Sequence, residues 1–248
     1  VTSVSVIVPL LNEAERIQAT LTGIRAALGE GDELIVVDGG SSDSSAELAA
    51  PLCDQLLTSP AQRAGQMNAG ATHARGEWLW FIHADNQVLP GHRQALADLP
   101  SAADWGRFDV YLDAPGWLFG CIGGLISLRS RLTGIATGDQ GIFVRRSLFD
   151  AVGGFPGQPL MEDVALSALL RRYSRPVCLH PAMRTSARRW QSHGVWRTIG
   201  LMWRLRYRYW RGDDPASLHR AYYGQNKPLS GGVSSPAGGP RRSDGQHR

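Results

Sequence analysis

Three short apolar runs in the first third of the chain each lead to an acid, and this pattern constrains the fold more than any other feature. Residues 4–8 run into Asn12 and Glu13, 34–38 end on Asp38, and 78–82 run into Asp85. Runs this short, rich in β-branched and aromatic residues, read as buried strands. Between them lie segments of helical period. Ile17, Leu21, Ile24 and Leu28 share one face behind Asn12, the expected N-cap. Residues 42–50 read as a helix opened by Ser and Asp, 55–58 as a short strand, and 63–74 as a helix of small residues. Strands alternating with helices predict an α/β fold, a Rossmann-like, mostly parallel sheet flanked by helices. Ligands bind such sheets beyond the strand ends, so the acids there are the first functional candidates.

The second half is less regular. Residues 108–112, 141–144 and 177–180 read as strands, 164–172 as a helix and 193–211 as a long helix. Beyond Tyr223 the composition turns to Gly, Pro, Ser and Arg, so 225–248 is expected to be a disordered tail. The remaining 1–224 are expected to form a single domain.

Charge is uneven. The formal net charge is +4 and the pI about 9.2, yet from Arg171 onward the acids are Asp213, Asp214 and Asp244 alone. Lys227 is the only lysine, so the positive charge is almost all arginine. A basic half suits phosphate or anionic lipid; nucleic acid is not expected as a partner. Cys53, Cys121 and Cys178 form no C-x-x-C pair, which argues against structural zinc and for reduced thiols in a cytoplasmic protein. The longest apolar run, 117–128, stops at Arg129 and is too short to span a bilayer.

The motifs carry more. They are Pro9-Leu10-Leu11-Asn12-Glu13, Asp38-Gly39-Gly40-Ser41-Ser42-Asp43, His83-Ala84-Asp85 and Glu162-Asp163. To these add Arg63-Ala64-Gly65-Gln66-Met67-Asn68-Ala69-Gly70-Ala71, Gly138-Asp139-Gln140-Gly141 and Ser186-Ala187-Arg188-Arg189-Trp190. In this order they resemble glycosyltransferase family 2, the inverting GT-A superfamily of nucleotide-sugar enzymes, and most closely a bacterial subgroup of small members. The resemblance runs from about Val4 to Tyr223. It implies a GT-A (nucleotide-diphospho-sugar transferase) fold with C-terminal helices, a nucleotide-sugar-binding half at 1–100 and an acceptor-side half at 101–224.

The resemblance also implies roles. Asp38 would take a hydrogen bond from the base or ribose; the alternative is an Asp that only opens its turn. Ser41, Ser42 and Asp43 suit capping of the next helix. Pro9, Asn12, Glu13 and Ala84 fall at the donor-binding strand ends. Asp85 matches the last acid of the family's D-x-D motif and would hold Mg²⁺ or Mn²⁺ with the diphosphate. His83 replaces the motif's first acid. Asp163 would be the general base toward an acceptor hydroxyl, with Glu162 beside it. Arg63, Gln66 and Asn68 would line the donor pocket, the small residues around them letting the helix approach the nucleotide. The alternative is a tight packing face. Asp139 and Gln140 would contact sugar or acceptor, or form a turn. Arg188, Arg189 and Trp190 resemble an anion clamp with a stacking partner, and His193 a further metal ligand, unless it and His180 are ordinary structural histidines. Processive polymer synthases of the family carry Gln where this chain has Ser186, so non-processive transfer is expected.

In the segment 193–211, Trp196, Ile199, Trp203 and Trp210 fall on one face and Arg197, Arg204, Arg208 and Arg211 on another. Either this is an interfacial helix at the inner face of an anionic membrane, or it packs on the core with its arginines solvated. The expected activity is metal-dependent, inverting transfer of a sugar from a nucleoside diphosphate sugar to a hydroxyl. The competing readings are a sugar nucleotidyltransferase, which would need a Gly-rich basic loop after the first strand, and a non-catalytic membrane-associated binder. A nicotinamide dehydrogenase is excluded by the lack of G-x-G-x-x-G after that strand.

Overall fold

The computed structural model describes residues 2–224. The side chains of Arg189 and His193 lie outside the described residues, and so does the expected tail, 225–248. In chain order the elements begin β1 (Val4–Leu10), α1 (Ile17–Ala27), β2 (Glu33–Asp38), α2 (Ser45–Ala49), β3 (Gln55–Thr58), α3 (Arg63–His73) and β4 (Trp78–Phe81). They continue with β5 (Asn86–Gln87), α4 (Pro90–Ala97), β6 (Trp105–Asp113), α5 (Trp117–Thr133), β7 (Phe143–Arg145) and α6 (Arg146–Ala151). The chain then forms α7 (Glu162–Leu170), β8 (Val177–Ser186), α8 (Arg188–His193), α9 (Val195–Trp210) and α10 (Pro215–Tyr223).

One eight-stranded sheet runs β3-β2-β1-β4-β7-β6-β8-β5. The first four strands pair in parallel, as the βα alternation predicts. Beyond β4 the sheet is mixed. β7 is antiparallel to both β4 and β6, and β8 runs parallel to β6. Every residue of β2 is buried, the mark of a central strand covered on both faces.

Strand alternation divides the core into two layers. Val4, Val6, Val8 and Leu10 of β1 meet Ile17, Leu21 and Ile24 of α1 on one side. Ile7, Ile35 and Val37 meet Ala64 and Met67 of α3, and Phe149 and Leu166 of α6 and α7, on the other. The small residues of α3 serve this second layer. A Cβ on Gly70 would lie 2.5 Å from Ile7 Cγ2, so glycine is what lets α3 descend onto β1.

Several elements differ from the sequence reading. Asn12 is not the N-cap of α1: it sits in a left-handed turn (φ 54°), and Arg16 occupies the cap position. The apolar run 117–128, given no secondary structure from the sequence, lies in the longer helix α5, bounded by Gly116 and Gly134, both at positive φ. The expected helix 193–211 is broken at Gly194 (φ 81°) into α8 and α9. The core-packed reading of its tryptophans also fails. Trp196, Trp203 and Trp210 are exposed, while α9 meets the body through Leu201, Leu205 and Tyr209, in a cluster with Leu160, Met161 and Leu218.

Candidate active site

The first wall of the site is a pair of interlocked loops after β1 and β2. Asn12 Oδ1 accepts from the Ser42 N–H (2.8 Å), and the Asn12 N–H donates to Ser41 Oγ (3.0 Å). The Glu13 N–H donates to Ser45 Oγ (2.8 Å) and the Ala14 N–H to Asp43 Oδ2 (3.2 Å). Asp43 also accepts from the Ser45 N–H at the start of α2. Asp38 is buried at the end of β2, and its carboxylate accepts from the N–H groups of Gly40 and Ser41 (each 3.0 Å) and from Ser41 Oγ (2.5 Å). It therefore organises the turn that follows it. Pro9 stays within β1, opposite Val37, and the buried Ala84 accepts from Thr20 Oγ1 through its carbonyl.

Helix α3 is fastened to this wall. The buried Gln66 donates through Nε2 to the carbonyls of Leu10 (2.9 Å) and Val37 (2.8 Å), at the C-terminal ends of strands β1 and β2. Asn68 makes a reciprocal pair with the Phe155 backbone, 2.9 Å in each direction. Both side-chain amides are thus engaged with backbone, as the alternative reading of the motif, a tight packing face, expected. Arg63 points elsewhere, its Nη1 3.1 Å from Oε1 of the buried Glu162. Burial works against the Arg63 charge, but Glu162, Tyr223 and Asp163 raise its pKa and keep it protonated.

The acids form the second wall. Asp163 lies at the start of α7 and accepts from the N–H groups of Gly138 (2.8 Å) and Val164 (2.7 Å). Burial and then the charge of Glu162 push its pKa up to about 7, against those two hydrogen bonds and Arg63. At Asp85, burial raises the pKa while Arg63, its own backbone and, to a lesser extent, Arg188 and Arg16 oppose it. Burial raises Asp139 as well; Thr137 and Arg129 act against the rise and Asp85 adds to it. Asp139 Oδ1 is buried without a hydrogen-bond partner. Gln140, in contrast, is wholly buried and holds its own turn, accepting from the Thr137 N–H (3.1 Å). His83 packs so closely on Gly138 that a Cβ there would lie 2.2 Å from the ring. Burial, aided by Arg63, drops the His83 pKa to about 3, so the imidazole is neutral at any working pH.

The rim is basic. Arg188 Nη2 stands 3.6 Å from Glu13 Oε2, and Arg16 Nη1 donates to Ser186 Oγ (3.0 Å). Burial raises the Glu13 pKa against the pull of Arg188, and the charge of Asp85 raises it further. Trp190 packs, partly buried, on Leu112, Ile122 and Ala187. A cleft of about 610 Å³ opens beside Asp85, lined among others by Arg16, Thr20, Val88, Ser186 and Arg188. That volume lies within the roughly 300–1,000 Å³ of small-molecule sites.

Two features escaped the sequence reading. Arg129, in α5, is largely buried, its Nη2 is without a partner, and its charge is felt at Asp139 and Asp163. Its position at the end of an apolar run was the available signal. Asn12 and Met161 are the non-glycine residues at positive φ among the described residues, and each directly precedes a site acid, Glu13 or Glu162. Backbone held in this sparse region marks places that the surrounding structure over-determines.

The donor set fits a hard divalent cation in part. Asp85 and the partnerless Asp139 oxygen are hard ligands. Among the described residues no three His, Cys, Asp or Glu side chains are arranged to hold a metal. The fit is to an ion held by one or two carboxylates and completed by phosphate oxygens, a common arrangement for Mg²⁺.

Known structures share this architecture, which is the GT-A fold. The chain superposes on TarS of S. aureus with a TM-score of 0.60 and 17% identity, over 75% of this chain and 60% of TarS. It superposes on the mannosyltransferase PcManGT of Pyrobaculum calidifontis, solved with GDP-Man and Mn²⁺, with a TM-score of 0.58 and 21% identity, over 88% and 68%. Residues 5–115, β1 to just beyond β6, match the family described as Glycosyl transferase family 2. A PGL/p-HBAD biosynthesis glycosyltransferase of Mycobacterium tuberculosis is 31% identical over 164 residues, 61% of this chain and 62% of that relative. The chain thus spans less than two thirds of that relative's length.

Proposed function

We propose that the chain is a family 2 glycosyltransferase that moves a sugar from a nucleoside diphosphate sugar to an acceptor hydroxyl with inversion at the anomeric carbon. The observation that carries this reading is Asp163, a carboxylate fixed by two backbone N–H groups and pushed up to about 7. A general base works best with a pKa near the operating pH, and two hydrogen bonds fix its direction. The family match and the nucleotide-sugar ligands of the structural neighbours support the same class.

In this reading the interlocked loops at Pro9, Asn12, Glu13 and Asp38 receive the nucleoside, with Gln66 and Asn68 holding the floor beneath them. Arg188, beside Glu13 at the rim, is the group that would meet the diphosphate, because a guanidinium fork matches its oxygens. Trp190 anchors the arginines' helix. Asp85 and Asp139 would hold the divalent cation, which when bound supplies charge neutralisation to the leaving diphosphate. Asp163 accepts the acceptor's hydroxyl proton as the oxygen attacks the anomeric carbon from the face opposite the diphosphate. The C–O bond to the diphosphate breaks and the configuration inverts. Glu162 keeps Arg63 in place, and its charge raises the basicity of Asp163.

The test combines donor binding with turnover. Thermal shift against UDP-, GDP-, ADP-, CDP- and dTDP-sugars, with and without Mn²⁺, identifies the donor by mass action. With that donor, Asp163→Asn should retain binding and lose transfer by a factor of about 10²–10⁴. Near-normal turnover in the variant would remove Asp163 as the base.

A further inference from the structure

We infer that α9 and α5 form a platform that docks on the surface of an anionic phospholipid bilayer without crossing it. Helix α9 presents its largest side chains outward. Trp196, Trp203 and Trp210 are 77%, 75% and 80% exposed, and Tyr207 lies between the last two at 56%. The tryptophans stand seven residues apart, two turns of helix, so they form one stripe about 21 Å long. Arg197, Arg204 and Arg211 repeat the same spacing one residue on, along the flank of that stripe. The buried residues of α9 are Thr198 and Leu205, so its aromatic face is turned from the body. Arranged this way, indole rings suit the headgroup boundary and arginine stems lie alongside with their charges in water.

Helix α5 repeats the inversion. Trp117, Leu125, Leu128 and Leu132 are 81%, 64%, 50% and 79% exposed, whereas its buried positions are Ile122, Gly123, Ser127 and Ser130. The two helices are tied together: Leu112, Ile122 and Ala187 pack with Leu118 of α5, Trp190 of α8 and Val195 at the start of α9. Two helices that each turn a row of large apolar side chains outward, joined where α9 begins, go beyond the scattered residues of an ordinary surface. No helix among the described residues is long and apolar enough to cross a membrane, so the platform lies on the bilayer.

Charge selects the occupant. Helix α9 carries four arginines and no acid. A second copy seated on the same face by two-fold symmetry would set one arginine row against another. A negative lipid surface instead attracts such a row, at about 1 kcal/mol per basic residue, with Arg208 set aside because it pairs with Asp213. The inference does not depend on the transfer reaction.

The experiment is co-sedimentation of the full chain with vesicles of phosphatidylcholine alone or with added phosphatidylglycerol. Tryptophan emission is read in parallel, and circular dichroism checks the fold of each variant. Binding is expected only with phosphatidylglycerol, with a blue shift of emission, and should weaken as salt rises. Trp203→Ser with Trp210→Ser should shrink the blue shift, leaving the part contributed by Trp196 and Trp117. Arg197→Gln with Arg204→Gln should cut binding about tenfold or more. The proposal fails if the folded chain sediments with neither vesicle, or if binding survives both pairs of substitutions. It fails equally if light scattering shows a dimer that the tryptophan substitutions dissolve.

Discussion

Asp163 shows how much one carboxylate depends on its surroundings. Its pKa of about 7 arises from burial and from Glu162, against two hydrogen bonds that favour the charged form. If it is the base, kcat/KM should rise with pH and level off above about 7, and a pH–rate series would show the limb. Stability should move the opposite way. An ordinary aspartate, as in the unfolded chain, ionises near pH 4. Between that value and about 7 the folded state binds the extra proton, so rising pH favours unfolding, with the full effect above the folded pKa. The melting temperature of Asp163→Asn relative to the parent should therefore be higher at pH 8 than at pH 5; no change in that difference would contradict the raised pKa. The acids themselves were legible as residues following strands or opening a helix. The environment was not, because the N–H of Gly138 comes from a turn 25 residues upstream.

At the scale of elements, the α3 segment repays comparison with its sequence reading. Its motif pointed to a ligand pocket or to a packing face; the side chains of Gln66 and Asn68, and the missing one of Gly70, all serve packing. Gln66→Leu would leave the Leu10 and Val37 carbonyls without their amide partner. The Leu10 carbonyl keeps the Gly39 N–H (2.8 Å), so the cost should be that of lost hydrogen bonds, about 0.5–1.5 kcal/mol each, measured by urea unfolding. Helices α1 and α3 were legible from period and composition. Helix α5 was not, because Gly120, Gly123 and Gly124 depress its propensity and its outer face is apolar, so no amphipathic pattern appears. The break before α9 had one signal, Gly194, outweighed by the arginine and tryptophan spacing on its C-terminal side.

For the whole molecule, the parallel half of the sheet followed from the βα alternation, whereas the mixed half did not. Strand pairing at long range leaves no local trace, and β7, three residues long, gives little pattern to read. Yet β7 joins the halves, between β4 and β6. A fragment ending at residue 115, the limit of the family match, would keep β4 and β6 but lack the strand between them. It should fail to give a cooperative melt and should aggregate through unpaired edges, as size-exclusion chromatography would show. A folded, monomeric fragment would contradict that expectation.

The same strand order affects synthesis. As the chain leaves the ribosome, β1 to β4 can associate in the order in which they appear: β2 on one edge of β1, β3 beyond β2, and β4 on the free edge of β1. Strand β6 has no such neighbour: both its partners, β7 and β8, are translated after it. At about 5–20 residues per second, the wait from the end of β6 to the arrival of β7 lasts several seconds or less. For that interval Phe108, Val110 and Leu112 have no finished core to enter, making this strand the place where a nascent-chain chaperone would find its earliest lasting foothold.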